Sequence, residues 1–279
     1  MRLGDITIRC INDGTFKLDG GQMFGVVPRV LWEKATPPDA QNRITLAVNS
    51  FLVETAGHRV LLDVGLGAKY SEKQRETYGM AAGRLLAGLK RLGLKPEDID
   101  TVALTHLHFD HAGGCTHLDD SGRPIPTFPK ARYFVQRRSW QEAMSENERT
   151  RRNYARQDFQ PLQEAGLLEL LDGRADVAPG VWVDPTDGHS TGHQAVHIES
   201  SGQRAVLLGD VLPTVHHLPL PWLTGFDVRP LESLEAKRTV LAQAEREGWL
   251  LLFVHGSPDA MGGYLERRDG RLALRPVEL

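Results

Sequence analysis

The sequence predicts an α/β fold in which one mixed sheet or two sheets are flanked by helices. Short runs of β-branched and aliphatic residues recur along the 279 residues, and at least two amphipathic helical patterns lie between them. The early strands follow one another without helices, whereas later strands alternate with helices. No glycine-rich phosphate loop follows an early strand, which argues against a doubly wound parallel sheet.

Nine runs have the composition of strands: 5–11, 44–54, 59–63, 101–105, 131–135, 181–183, 195–199, 205–208 and 250–254. Helices are predicted over 83–92, which ends before the stop at Gly93, and over 231–248, which has an acidic first turn and a terminal glycine. Two segments, 13–43 and 137–160, lack a regular pattern but contain aromatic residues. Long irregular stretches are often binding loops, so we expect both to border a pocket.

The composition is that of a soluble globular protein, with 41% hydrophobic and 25% charged residues. A net charge of −3 attracts no polyanion, so no nucleic-acid partner is expected. No apolar run could span a bilayer and the N-terminus lacks a signal-peptide pattern, which predicts a cytoplasmic protein without a membrane partner. The two cysteines, Cys10 and Cys115, exclude a disulfide framework, and Cys115 is expected to be a small buried residue.

The highest density of potential metal-ligand side chains in the sequence follows the predicted strand 101–105. Strand alternation places His106 and His108 on one face where the strand ends, and Asp110 and His111 follow as the chain turns. The Gly-Gly pair that comes next permits a tight turn. Four metal-ligand side chains so close together predict a metal site.

Further residues of these types stand after later strands, as a pair of divalent ions with about six or seven ligands would require. His189 and His193 lie in the run GHSTGH, Asp210 follows the strand 205–208, and His255 follows the strand 250–254. The carboxyl ends of strands are where α/β folds gather functional loops. We therefore expect these side chains to meet the first group.

The set HxHxDH, GHSTGH, GD and a strand-terminal histidine resembles the metallo-β-lactamase-fold hydrolases over nearly the whole chain. The resemblance implies an αββα sandwich of two mixed sheets flanked by helices, in a single domain over 1–279 with a dinuclear site along one edge. It assigns His189 a supporting role in the turn. The implied ligands are His106, His108 and His193 for the first metal, Asp110, His111 and His255 for the second, and Asp210 as the bridge.

The chemistry implied by this site is hydrolysis by a bridging hydroxide. Two divalent ions ~3.5 to 4 Å apart share a water and lower its pKa toward ~7. Asp110 would be the catalytic residue, ligating one metal and accepting a proton from the nucleophile. Because no cysteine is among the ligands, Zn²⁺ is the default ion, while Mn²⁺, Fe²⁺ or Co²⁺ could occupy the site.

Residues 18–28, 49–54 and 63–65 resemble the branch of N-acyl-homoserine lactonases and methyl-parathion-type esterases, which implies a small ester or lactone as substrate. Some of those lactonases have a Tyr three residues after the bridging Asp, where this chain has Pro213. His216 or His217 could replace that donor, with exposed loop residues as the alternative. The apolar residues expected around the substrate, with core packing as the alternative, are Met23, Phe24, Phe109 and Trp222.

Eight Lys and Arg residues lie between 130 and 156, against three acidic residues. They form either a solvated face or a site for a substrate carboxylate. Two other functions stay open: a persulfide-dioxygenase-like enzyme with one iron, and a metal-binding protein without turnover. A small molecule is the expected partner, and a homodimer is kept open.

Overall fold

A computed structural model describes residues 1–279 as a series of strands and mostly short helices. The strands are β1 (Arg2–Leu3), β2 (Ile6–Asp19), β3 (Arg43–Thr55), β4 (His58–Leu62), β5 (Thr101–Ala103), β6 (Thr116–Leu118), β7 (Pro124–Pro126), β8 (Arg132–Gln136), β9 (Leu168–Leu171), β10 (Ala175–Ala178), β11 (Val181–Pro185), β12 (Gln194–Ser200), β13 (Gln203–Leu207), β14 (Leu250–Leu252), β15 (Gly262–Arg268) and β16 (Arg271–Pro276). The α-helices are α1 (Gly20–Phe24), α2 (Arg29–Trp32), α3 (Glu72–Thr77), α4 (Leu85–Arg91), α5 (Phe109–Ala112), α6 (Arg137–Ala143), α7 (Gln160–Glu164) and α8 (Pro230–Glu247).

The strands form two seven-stranded sheets and one small hairpin of β6 and β7. The order of the first sheet is β1-β2-β3-β4-β5-β8-β9, and that of the second is β10-β11-β12-β13-β14-β15-β16. Both sheets are mixed, because β4, β5, β8 and β9 pair in parallel in the first and β13 pairs in parallel with β14 in the second. The two mixed sheets of the sequence prediction are confirmed.

Alternation along the central strands separates three apolar layers. Phe51 and Val53 of β3 pack between the two sheets, whereas Leu52 faces the layer that includes Leu89 of α4. On the far side of the second sheet, α8 buries Leu241 against the strands. This order of helix, sheet, sheet and helix is the predicted αββα sandwich.

The two predicted helices correspond to α4 and α8, and α8 ends at Gly248, which has a left-handed conformation with φ 66°. The prediction of an irregular segment over 13–43 is wrong at its start, because β2 continues to Asp19 in register with β3. A register shift between Asn12 and Gly14 hides the continuity of the alternating pattern. Within 137–160, the first seven residues form α6.

The loops that follow β5, β13 and β14 carry the predicted ligands His106, Asp210 and His255. Two of these strands are central in the second sheet and one is central in the first. The site therefore draws on both sheets of the sandwich. None of the helices is long and apolar enough to cross a membrane.

Candidate metal centre

The loop after β5 presents the predicted motif as a compact group of buried side chains. His106 and His108 have ring centroids 4.3 Å apart, and the rings of His106 and His111 are 4.1 Å apart. Helix α5 places Asp110 and His111 on its buried side, and both are at most 5% exposed. Polar groups packed this tightly and shielded from water need a common partner.

Most rings of the centre are oriented through Nδ1, which leaves Nε2 directed inward. Such second contacts fix the tautomer and the direction of a metal-binding imidazole. The Nδ1 contacts are Thr105 Oγ1 for His106 at 3.0 Å, Asp63 Oδ2 for His111 at 2.9 Å, Asp227 Oδ1 for His189 at 2.9 Å and the Ala47 carbonyl for His255 at 2.8 Å.

Two groups of ligand atoms converge, with all atoms of each group within 4.8 Å of one another. Asp210 belongs to both groups. Its Oδ1 lies 3.3 Å from His111 Nε2 and 3.2 Å from His255 Nε2, and its Oδ2 lies 3.5 Å from His189 Nε2. The first group is His106, His108, His189 and Asp210, and the second is Asp110, His111, Asp210 and His255.

The donor set fits divalent metal ions. His106 Nε2, His111 Nε2, His193 Nε2 and Asp210 Oδ1 are buried and form no hydrogen bond within the protein. Buried polar atoms without a partner are rare and call for an explanation. Imidazole nitrogens and carboxylate oxygens around one shared carboxylate are the ligands expected for a pair of borderline-hard ions.

The structure differs from the predicted ligand set at one position. It brings His189 into the first group, and His193 lies outside that group. His193 Nδ1 is 2.6 Å from Thr186 Oγ1, and its Nε2 faces Gly209, where an added Cβ would approach it to 2.6 Å. Gly209 also has a φ of 50°, so the backbone before Asp210 requires glycine beside this ring.

The electrostatics of the centre follow from burial and from its two carboxylates. Burial lowers the pKa of His108 to about 3, helped by the neighbouring imidazoles. Burial also acts against the charged form of His255, but the Asp210 and Asp110 carboxylates raise its pKa to about 9. Burial would raise the pKa of Asp210, yet His111 and His255 hold it well below its usual range. The second group thus keeps its carboxylates ionised and attracts positive charge.

A cleft of about 340 Å³ opens onto the centre. His108, Asp110, His189, Asp210 and His255 form part of its wall. Met23 and Phe109, both predicted to contact substrate, also line it. Leu18 and Gln22, from the segment 13–43 that was expected to border a pocket, line it as well. Tyr78 and Phe226 are wall residues that no sequence pattern indicated.

Three of the predicted substrate contacts are not in the cleft wall. Phe24 is 1% exposed and stacks between Trp32 at 5.4 Å and His217 at 4.7 Å between ring centroids. Trp222 packs edge-on against Phe24 at 5.6 Å. His216 follows Thr214 in a short turn and also lies outside the wall. Phe24 and Trp222 therefore take the core-packing alternative.

His217 and Cys115 are interior residues. His217 Nε2 lies 2.8 Å from the Met23 carbonyl, and its Nδ1 lies 2.8 Å from Thr214 Oγ1. Both ring nitrogens are thus engaged by the protein, and His217 does not reach the cleft wall. Cys115 is fully buried in the layer beneath the first sheet, and burial raises the pKa of its thiol.

The fold and the ligand groups together define a protein built to hold metal ions at the edge of an αββα sandwich. The family model of the Metallo-beta-lactamase superfamily matches residues 43–255 of this chain. The chain belongs to that superfamily.

Several relatives are N-acyl homoserine lactonases. The lactonase of Bacillus cereus is 31% identical over 178 residues, which are 60% of this chain and 64% of that protein. The lactonase AttM of Rhizobium radiobacter is 28% identical over 184 residues, 63% of this chain and 65% of that protein. The chain thus matches less than two thirds of the length of these lactonases.

Among solved structures, a probable metal-dependent hydrolase from Staphylococcus aureus is similar over the full length of both chains, with 34% identity and a TM-score of 0.89. AidC, a dizinc quorum-quenching lactonase in complex with its product, has a TM-score of 0.80 at 20% identity and covers 100% of this chain and 97% of its own. The second likeness shows the shared fold.

Proposed function

We propose that this protein is a hydrolase that cleaves a small ester or lactone with two divalent metal ions. The observation that carries the proposal is the pair of ligand groups that share Asp210 beside an open cleft. His106, His108 and His189 would hold one ion, Asp110, His111 and His255 would hold the other, and Asp210 would contact both. His189 replaces His193 in this assignment.

When bound, two such ions polarise a carbonyl oxygen and lower the pKa of a shared water. The role of the chain is to hold the reacting groups and to move one proton. Asp110 lies in the cleft wall with Oδ2 3.4 Å from His255 Nε2. The same oxygen lies 3.8 Å from His111 Nε2. From this place in the wall, the carboxylate would accept a proton from the nucleophile and return it to the leaving group.

The lactonase relatives and the dizinc neighbour support an ester-type substrate and a dinuclear site. Leu18, Met23 and Phe226 give the cleft an apolar side that suits an acyl chain. The alternative, a persulfide-dioxygenase-like enzyme, would bind one iron through two histidines and one aspartate and would need only one group of ligands. The convergence of Asp110, His111 and His255 as a second group favours two ions.

The experiment is a comparison of Asp110→Asn with the wild type, using the metal-loaded protein, a p-nitrophenyl ester and a simple lactone. We expect kcat to fall at least ~10²-fold, the usual scale for loss of a general acid-base group, while metal content falls less. Asp120→Asn, the same change at an exposed position, serves as the control. Wild-type turnover by Asp110→Asn would show that another group transfers the proton.

A further inference from the structure

Two arginines without a carboxylate partner, Arg149 and Arg152, stand in the wall of the metal cleft. Four other arginines of the same basic stretch form ion pairs with nearby acids. These pairs are Arg132 with Glu169, Arg137 with Asp172, Arg138 with Asp187, and Arg156 with Glu146. Arg149 and Arg152 are thus left without a carboxylate partner in the wall of the cleft that contains the proposed reaction site.

The wall around these arginines is held in place and offers further donors. Arg149 Nη2 donates to the carbonyls of Gly225 at 3.0 Å and Asp227 at 3.4 Å, which ties this wall to the loop beside His189. The exposed side chain of Arg152 forms no hydrogen bond and no ion pair within the protein. Thr150 also lines the cleft and is 6% exposed, and its Oγ1 has no hydrogen-bond partner.

The charge of the cleft favours an anion. Its only carboxylates are Asp110 and Asp210, and both belong to the metal-binding groups. Metal ions at those groups would offset the two negative charges and leave the guanidinium groups uncompensated. Field lines in a narrow cleft of one sign of charge concentrate substrates of the opposite sign.

We propose that Arg152, supported by Arg149, binds a carboxylate carried by the substrate at a distance from the scissile bond. The inference rests on the proposed function and narrows it to esters or lactones that carry a negative charge. A guanidinium presents paired donors that match the two oxygens of a carboxylate, so Arg152 is a specificity-determining residue. The apolar side of the cleft would hold the linking chain of the substrate.

The test compares two esters of equal chain length, mono-p-nitrophenyl adipate and its methyl ester, on the metal-loaded protein. We expect the wild type to prefer the anionic ester in kcat/KM, and Arg152→Ala to lower the anionic-to-neutral ratio about tenfold, the scale of one charge-assisted hydrogen bond. Arg151→Ala is the matched control, because Arg151 is an exposed neighbour that does not line the cleft. Arg151→Ala should leave the ratio unchanged.

Binding separates failure of this inference from failure of the proposed function. Calorimetric titration should show that adipate binds more tightly than hexanoate. The ratio of the two affinities should fall about tenfold in Arg152→Ala and stay unchanged in Arg151→Ala. If neither ester is hydrolysed but this pattern holds, the ester-hydrolase proposal fails and the anion site stands. The anion site is wrong if the wild type, Arg152→Ala and Arg151→Ala have the same anionic-to-neutral ratio in kcat/KM. If no ester is cleaved, the same ratio of adipate to hexanoate affinity in all three proteins would overturn it.

Discussion

The direction of most imidazoles in the centre depends on the group that holds Nδ1, whereas His108 Nδ1 lies 3.2 Å from His189 Nε2. His189 is turned by the Asp227 carboxylate, which also accepts a hydrogen bond from Thr224 Oγ1 at 2.6 Å. This leaves His189 Nε2 3.5 Å from Asp210 Oδ2. His193 is held instead by Thr186, so two histidines of one short turn take different positions.

This difference leads to a prediction about metal content. His189→Ala should reduce the bound metal by about one ion per chain, because it removes one of three imidazoles from the first group. His193→Ala removes a ring outside that group and should retain both ions. Elemental analysis after gel filtration measures the content, and thermal melting shows that each variant is folded. Loss of metal from His193→Ala alone would reverse the assignment.

At the scale of elements, the segment that connects β2 to β3 is divided between cleft and core. Met23 and Phe24 are both 1% exposed and belong to one apolar cluster, but only Met23 also borders the cleft. Phe24 stacks between Trp32 and the imidazole of His217. Adjacent residues of a short helix point in different directions, and the amino-acid types alone do not decide which one faces substrate.

We expect Phe24→Ala to lower the free energy of unfolding by about 3 to 5 kcal/mol, the usual cost of a cavity left by a buried phenyl ring. Its KM for acyl substrates should not change at temperatures where the variant is folded. Phe226→Ala is the contrasting variant, because Phe226 lines the cleft and is partly exposed, and it should raise KM. Denaturant unfolding and steady-state kinetics measure the two effects. A raised KM in Phe24→Ala would return this residue to the substrate wall.

A buried ion pair joins the loop that follows β4 to the segment that carries Arg149 and Arg152. Lys69 Nζ lies 3.1 Å from Asp158 Oδ1, with side chains only 2% and 1% exposed. The ammonium also donates to the carbonyls of Gly113 and Thr116. Burial raises the pKa of Asp158 to about 6 despite Lys69, so the pair positions these elements at a cost in desolvation.

Asp158→Asn should therefore destabilise the protein by about 3 to 5 kcal/mol at neutral pH, because it leaves a buried ammonium without its carboxylate. The double variant Lys69→Met, Asp158→Leu removes both charges and should recover part of the loss. Denaturant unfolding of the two variants and the wild type gives the comparison. A single variant as stable as the wild type would show that the pair makes no contribution to this junction.

At the scale of the whole molecule, the sandwich gathers side chains from distant parts of the sequence at one edge. The clustering of histidine and aspartate side chains after strands could be predicted, because a strand end fixes where the next residues lie. The choice between His189 and His193 could not, because it depends on which ring meets Asp227 across the fold. The extension of β2 was hidden by the shift near Gly14, which interrupts the alternating pattern.

The central claim is that the chain holds two metal ions through the two ligand groups that share Asp210. The most direct test is elemental analysis of the purified wild-type protein, with protein concentration measured independently. The account predicts about two divalent ions per chain, with Zn²⁺ as the expected ion. One iron per chain, with no second ion bound after addition of excess Zn²⁺, would contradict it.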